Sequence, residues 1–199
     1  MLLPLLTALV LAAPAQDTAR FVTTLRGALE APRLGAVRWG DLADVREGMR
    51  TAYERRGWRP LWLEGGAPTP SAKAVIRELL LARDRGLDPS DYDAPWLHAE
   101  AASLAGRDDS ARAVFDLALS SAATRYALAL DRGRIDPRQL HKTLTMVRDP
   151  FDGAGTITAL ATAANPVPLL RALEPPFYHY RRLVSILQTY RILAADSTL

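Results

Sequence analysis

The stretch LALDRGRIDPRQLH, residues 128–141, holds a helix stop and a helix start within a few residues of each other. Gly133 reaches the left-handed backbone region without a Cβ penalty and so ends the long periodic segment before it. Asp136 then reads as an N-cap and Pro137 as the first helical residue, where its missing N–H costs nothing. Stop and start signals this close set the angle between two helices. They carry no chemistry of their own.

Outward from this junction, helical spacing recurs almost throughout. Phe21, Val22, Leu25, Ala28 and Leu29 share one face of a segment that Pro32 ends. Asp41 or Asp44 is expected to cap the next helix, with Leu42, Val45, Met49, Ala52 and Tyr53 inward and Gly57 past its end. WRPLWLEGG, residues 58–66, is too short and too proline-broken for a helix. It reads as an extended connector that lays Leu61 and Trp62 on the core, with an exposed Trp58 beside it as a candidate partner contact.

Thr69-Pro70-Ser71 opens a third helix, faced by Ala72, Val75, Ile76, Leu79 and Leu80 and stopped at Gly86, with Leu87 folding back. A turn-rich link leads to a short helix near Pro95. Asp108 or Asp109 then starts the long helix, striped by Phe115, Ala118, Ala122, Tyr126 and Ala129. After the junction come a helix from Pro137 to about Met146, one from Thr156 to about Ala164, and a short proline-chopped turn. The last helix runs from about Phe177 to Ala195, with Tyr180, Leu183, Val184, Leu187, Tyr190 and Ala194 on its core side. With no useful strand alternation, the expected class is all-α: one irregular domain of about eight or nine helices, with an extended connector near residues 58–63.

Composition narrows the function. The 199-residue chain has no cysteine, which excludes disulfides, thiolate zinc sites and a cysteine nucleophile within it. Its net charge of +3 is evenly spread, with 13 basic and 13 acidic side chains in residues 1–100 and 12 against 9 in the rest. Nucleic-acid binders concentrate positive charge, so no nucleic-acid partner is expected. MLLPLLTALVLAAPA, residues 1–15, has an apolar centre and a small-x-small end, as in a secretory signal peptide lacking its positive end. It is too short for an ordinary transmembrane helix, and no stable membrane span is expected once it is cleaved.

Candidate chemistry is thin. His98, His141 and His179 stand alone, without a ligand partner at helical spacing. FDGAGT, residues 151–156, follows no strand and reads as a loop. Glu47, Glu54, Glu64, Glu78, Glu100 and Glu174 carry no sign of desolvation, and no G-x-S-x-G elbow surrounds any serine. YHYRR, residues 178–182, reads as core plus a solvated rim. No metal, cofactor or catalytic residue is assigned.

Four stretches, taken in order, resemble a known family: YERRGWRPLWL (53–63), GLDPSDY (86–92), FDLALSSAATRYALALDRGRIDPRQLH (115–141) and LEPPFYHYRRLVSILQTYRILA (173–194). Their order and spacing are similar to the N-terminal scaffold domain of the large bacterial murein L,D-transpeptidases. The resemblance implies an exported helical scaffold, followed in the parent protein by a peptidoglycan-binding domain and a catalytic domain. That last domain, with its Ser-His-Gly-Cys type motif, crosslinks peptidoglycan through a cysteine thiolate.

No position here matches a family catalytic residue, so the chain alone is read as non-catalytic. The resemblance carries over structural positions only: Gly57, Trp62, Gly86, Leu87, Tyr92, Gly133, Arg134, Asp136, Pro137, Tyr180 and Tyr190. The glycines are helix stops, Trp62 and the tyrosines packing anchors, and Asp136-Pro137 a cap. Arg134 holds helix-end carbonyls, or reaches an acidic side chain, or meets the carboxylates of peptidoglycan stem peptides, and with Trp58 it is a candidate partner contact.

The implied organisation is a signal peptide over 1–15, a helix or linker over 16–35, the scaffold over 36–195 and a tail over 196–199. Peptidoglycan and the parent's catalytic domain are the implied partners, and the periplasm or cell envelope the implied location. Two other classes remain open: a free-standing peptidoglycan- or partner-binding module, and a lytic enzyme using a glutamate.

Overall fold

A computed structural model describes residues 13–135 and 149–196. The predicted signal peptide's first twelve residues, the cap Asp136-Pro137 and the helix expected after it lie outside the described residues. Eight α-helices are present among the described residues: α1 (Ala13–Glu30), α2 (Arg46–Arg55), α3 (Pro70–Leu80), α4 (Ala94–Ser103), α5 (Asp109–Arg132), α6 (Gly153–Thr162), α7 (Val167–Ala172) and α8 (Tyr178–Ala195). The all-α expectation holds. Among the described residues the helices are joined by a two-stranded antiparallel hairpin, Leu63–Glu64 with Ala67–Pro68, too short to show alternation in sequence.

The central element is α5. It starts on Asp108, whose carboxylate accepts from the Ala111 N–H at 2.9 Å. From Phe115 to Thr124 every residue is buried, including the polar Asp116, Ser120, Ser121 and Thr124. A helix buried all round lies inside other helices, not on a surface. Accordingly α1, α2, α3, α4 and α6 all pack against it. Phe21, Leu25 and Leu29 of α1, Met49 and Tyr53 of α2, Val75 and Leu79 of α3, and Ile157 and Leu160 of α6 complete the core.

Asp116 and Ser120 are one helical turn apart, so their side chains share a face. That face meets the connector. Asp116 Oδ1 accepts from the Tyr53 hydroxyl at 2.6 Å and from the Leu61 N–H at 3.0 Å, while Oδ2 accepts from the Trp62 N–H at 2.9 Å. The Trp62 indole N–H donates to Ser120 Oγ at 2.8 Å, and Ser120 Oγ lies 2.8 Å from the Tyr53 oxygen. Because indole can only donate, and Tyr53 gives its proton to Asp116, Ser120 must donate to Tyr53. The chain of hydrogen bonds thus runs from Trp62 through Ser120 and Tyr53 to Asp116.

Trp62 is fully buried, as expected for the connector's anchor. Burial pushes the Asp116 carboxyl up to about 6, against the opposing pull of Tyr53, the two backbone donors and Arg56. Its folded value therefore lies above the roughly 3.9 of an unfolded chain. The protonated form is the one that folding favours, so this group's contribution is largest below about pH 4. It declines as pH rises toward about 6, by on the order of 3 kcal/mol in all.

Several expectations need correcting. Gly133 does end α5, but with φ +78° and ψ 169°, outside the left-handed helical well and in a region only glycine reaches easily. Neither Asp41 nor Asp44 caps α2. The N-cap is Val45, without a side-chain bond, because Asp41 bonds the Ala43 N–H and Asp44 pairs with Arg125. The FDGAGT segment is not a loop throughout: Asp152 caps Gly155 at 2.8 Å, and α6 begins at Gly153, earlier than Thr156.

The largest departure is α8. Not one of its residues is buried. Tyr180, Val184 and Leu187 are half-covered where the helix rests on the 3-10 turn Ala82–Arg85, whereas Leu183 and Tyr190 are 65% and 66% exposed. Tyr190 is therefore no packing anchor among the described residues.

If the Asp116 cluster sets the connector, Tyr53→Phe should lower stability by about 1.5–3 kcal/mol, the range for a hydrogen bond to a charged group. Urea denaturation near pH 7 would measure it, and a change below about 0.5 kcal/mol would show that the hydroxyl contributes little.

Candidate functional site

The feature best built for recognition is a surface cleft of about 290 Å³ where the Arg33–Asp41 loop faces the end of α5. The loop closes on itself. Arg33 and Asp41 form a bridge, and the Leu34 N–H donates to the Gly40 carbonyl at 2.9 Å. A Cβ on Gly40 would stand 2.1 Å from the Leu34 oxygen, so the closure requires glycine.

This loop presents Trp39 with every polar group of the residue committed. Its N–H donates to Asp93 Oδ2 at 3.1 Å, beside the Arg38 N–H on Oδ1 at 2.9 Å. The indole N–H donates to the Ser90 carbonyl at 3.1 Å, and the Trp39 carbonyl accepts from Arg125 Nη1 at 2.8 Å. Asp93 supplies its carboxylate from a left-handed backbone position, φ +51°, which aspartate tolerates better than most residues. Despite all this fixing Trp39 is 43% exposed. The Arg38 guanidinium lies 5.3 Å from its centroid.

Two ion pairs flank the ring. Arg125 Nη2 meets Asp44 Oδ1 at 2.5 Å, and its Nε meets Oδ2 at 2.8 Å, a bidentate geometry. Burial pushes the Asp44 carboxyl upward, but the Arg125 hydrogen bonds and charge outweigh that and leave it below its ordinary value. Opposite, Arg134 Nη1 meets Asp91 Oδ2 at 2.5 Å. Below lie Leu128, Ala129 and Tyr92, whose hydroxyl burial pushes up to about 12 against the lowering charge of Arg134.

Of the two partner contacts expected from sequence, Arg134 lies in this cleft and reaches the acidic side chain of Asp91, one of its three anticipated roles. Trp58 does not. It is half-buried, stacked 6.3 Å from Tyr53 with the Arg26 guanidinium 4.5 Å above its ring, so it belongs to the core margin. Gly57 stands at its expected stop past α2 with φ +63°. By contrast α3 ends at Leu80, earlier than expected, and Gly86, φ +76°, closes the 3-10 turn Ala82–Arg85 that follows it, with Leu87 folding back onto Ala82. Tyr92 is buried edge-on against Tyr126 at 5.2 Å, whereas Tyr180 is only half-covered.

Sequence reading passed over Trp39. Its signal was a tryptophan beside a glycine in a non-helical stretch, but its partners Ser90, Asp93 and Arg125 are more than fifty residues away.

A second polar cluster is structural. Arg85 joins Glu174 at 2.6 Å and Glu78 at 3.3 Å, with all three side chains largely buried. Burial presses the Arg85 guanidinium down, but the bond from Glu174 and the charges around it hold it above its ordinary value. The absence of desolvated glutamates expected from sequence is thereby corrected. These carboxylates are engaged in tying the segment before α8 to α3.

Gly40→Ala should lower stability by about 1–3 kcal/mol through overpacking and should raise hydrogen exchange at the Trp39 indole N–H. Exchange unchanged from the parent chain would show that the loop closure does not hold the ring.

Comparison with known proteins gives one match. Residues 47–187 fit the model of a family described as the Scaffold domain. No curated protein and no solved structure matches the chain. The matched region spans α2 to most of α8, takes in the Asp116 cluster and Arg134, and exceeds half of the chain: this protein belongs to the Scaffold domain family.

Proposed function

We propose that this chain is the non-catalytic scaffold portion of an exported murein L,D-transpeptidase, bracing a catalytic domain against peptidoglycan in the cell envelope. The supporting family match is to a scaffold domain over residues 47–187, and the four ordered stretches supply the link to wall crosslinking. The observation that carries the bracing role is α8. Leu183, Ile186, Tyr190 and Leu193 form a bare apolar stripe beside the half-covered Tyr180, Val184 and Leu187. A stripe of this kind marks an interaction surface, and a rigid helical body behind it can hold a second domain at a set angle.

On this reading the cysteine chemistry belongs to the braced domain, and the chain supplies position. No helix among the described residues is long and apolar enough to cross a membrane. A second reading, a free-standing envelope module that binds peptidoglycan or a wall enzyme, draws on the Trp39 cleft.

The gene read in frame past codon 199 separates the two. A domain carrying a Ser-His-Gly-Cys type motif is expected. A stop codon with no such domain overturns the transpeptidase reading in favour of the module.

A further inference from the structure

We propose that the Trp39 cleft is a carbohydrate subsite, taking one pyranose ring of an uncharged, hydroxyl-rich glycan against the exposed indole. Three observations converge. The first is preorganisation. A 43% exposed tryptophan is anchored through its N–H, its carbonyl and its indole N–H, so a ligand meets a ring already held in place. Binding to such a ring avoids most of the ordering cost that a loose side chain incurs.

The second is charge. The cleft carries two carboxylates and two guanidiniums, paired as Asp44 with Arg125 and Asp91 with Arg134. A ligand carboxylate would meet Asp44 and Asp91, and a ligand ammonium would meet the arginines. A hydroxyl both donates and accepts, so it can bond to carboxylate and guanidinium side by side. Arg134 meets Asp91 through Oδ2, and Oδ1 is not part of that pair. Arg134, with five donors, has Asp91 as its one ion-pair partner among the described residues.

The third is size and polarity. At about 290 Å³ the cleft sits at the low end of small-molecule sites, roughly 300–1,000 Å³. Leu128 and Ala129 give it an apolar floor. A sugar ring, with C–H faces and a polar rim, matches an aromatic face bounded by ion pairs. That the sugar belongs to the wall glycan rests on the reading under Proposed function; that it is a sugar does not.

The test is an NMR titration of the ¹⁵N-labelled chain, following the Trp39 indole N–H and the Gly133 and Arg134 amides. The probes are chitotetraose, which is uncharged, peptide-free glycan strands released from sacculi by an amidase, whose N-acetylglucosamine units are the uncharged rings, and the stem tripeptide L-Ala-D-Glu-diaminopimelate. Saturable shifts with the glycans are expected, with a dissociation constant near millimolar. Trp39→Ala should weaken binding at least about tenfold and Trp39→Phe less, with denaturation curves confirming that both variants fold. Shifts with the tripeptide alone, or no saturable shift with any probe, overturn the proposal. Glycan binding in a protein whose gene lacks a downstream catalytic domain keeps the sugar site and removes the transpeptidase reading. Failure to bind glycan in a protein that has that domain does the reverse.

Discussion

A carboxylate with no access to water holds this fold's least regular part to its most regular. Asp116, inside α5, accepts from the Tyr53 hydroxyl and from two successive backbone N–H groups of the connector, Leu61 and Trp62. A non-helical segment laid on a core leaves backbone donors that water cannot reach, and each costs about 1–3 kcal/mol if left unpaired. Two of them converge on one carboxylate. Ser120, one turn on, takes up the Trp62 indole and closes the chain of bonds to Tyr53. The register of the connector, the seat of Trp62 and the approach of α2 to α5 all follow from this one side chain.

The periodic features were legible in sequence because they depend on neighbours a few residues away. Thr69 and Asp108 cap their helices as read, Gly57 and Gly133 stand past the ends of theirs, and Gly86 closes the 3-10 turn after α3. What escaped was polar and distant. Asp116 and Ser120 sit at helical spacing with nothing local to mark them as buried, since their partners lie more than fifty residues away. The same distance hid Glu174, which is 89 residues from Arg85, whereas Glu78 lies close to Arg85 in sequence and had nothing local to mark it as buried. Trp39 was missed for a related reason: composition cannot tell an exposed ring from a buried one. In α8 the periodicity was real but its meaning differed, because a stripe of Leu183, Ile186 and Tyr190 is the same string of letters whether it faces a core or a partner.

The two faces left for recognition differ in kind. The α8 stripe is broad and apolar and suits a protein surface. The Trp39 cleft is small, charge-balanced and rigid, and suits a small polar ligand with an apolar face. Both hang on the same body: α5 carries Arg125, Leu128 and Ala129 into the cleft, and the Arg85 cluster ties down the segment leading to α8. On the proposed bracing role, a chain that positions one partner while touching another needs such a body to be stiff. The junction after α5 takes its place here, since Gly133 ends α5 where Arg134 turns into the cleft beside Asp91.

The central claim is that the Asp116 carboxyl is buried and bonded as described, and its titration in the folded protein tests this most directly. Following its carboxyl carbon by NMR from acid to neutral pH should give a midpoint near 6. A midpoint near 4, the ordinary value for aspartate, together with fast exchange of the Leu61 and Trp62 amide protons would place the carboxyl in water and contradict the account.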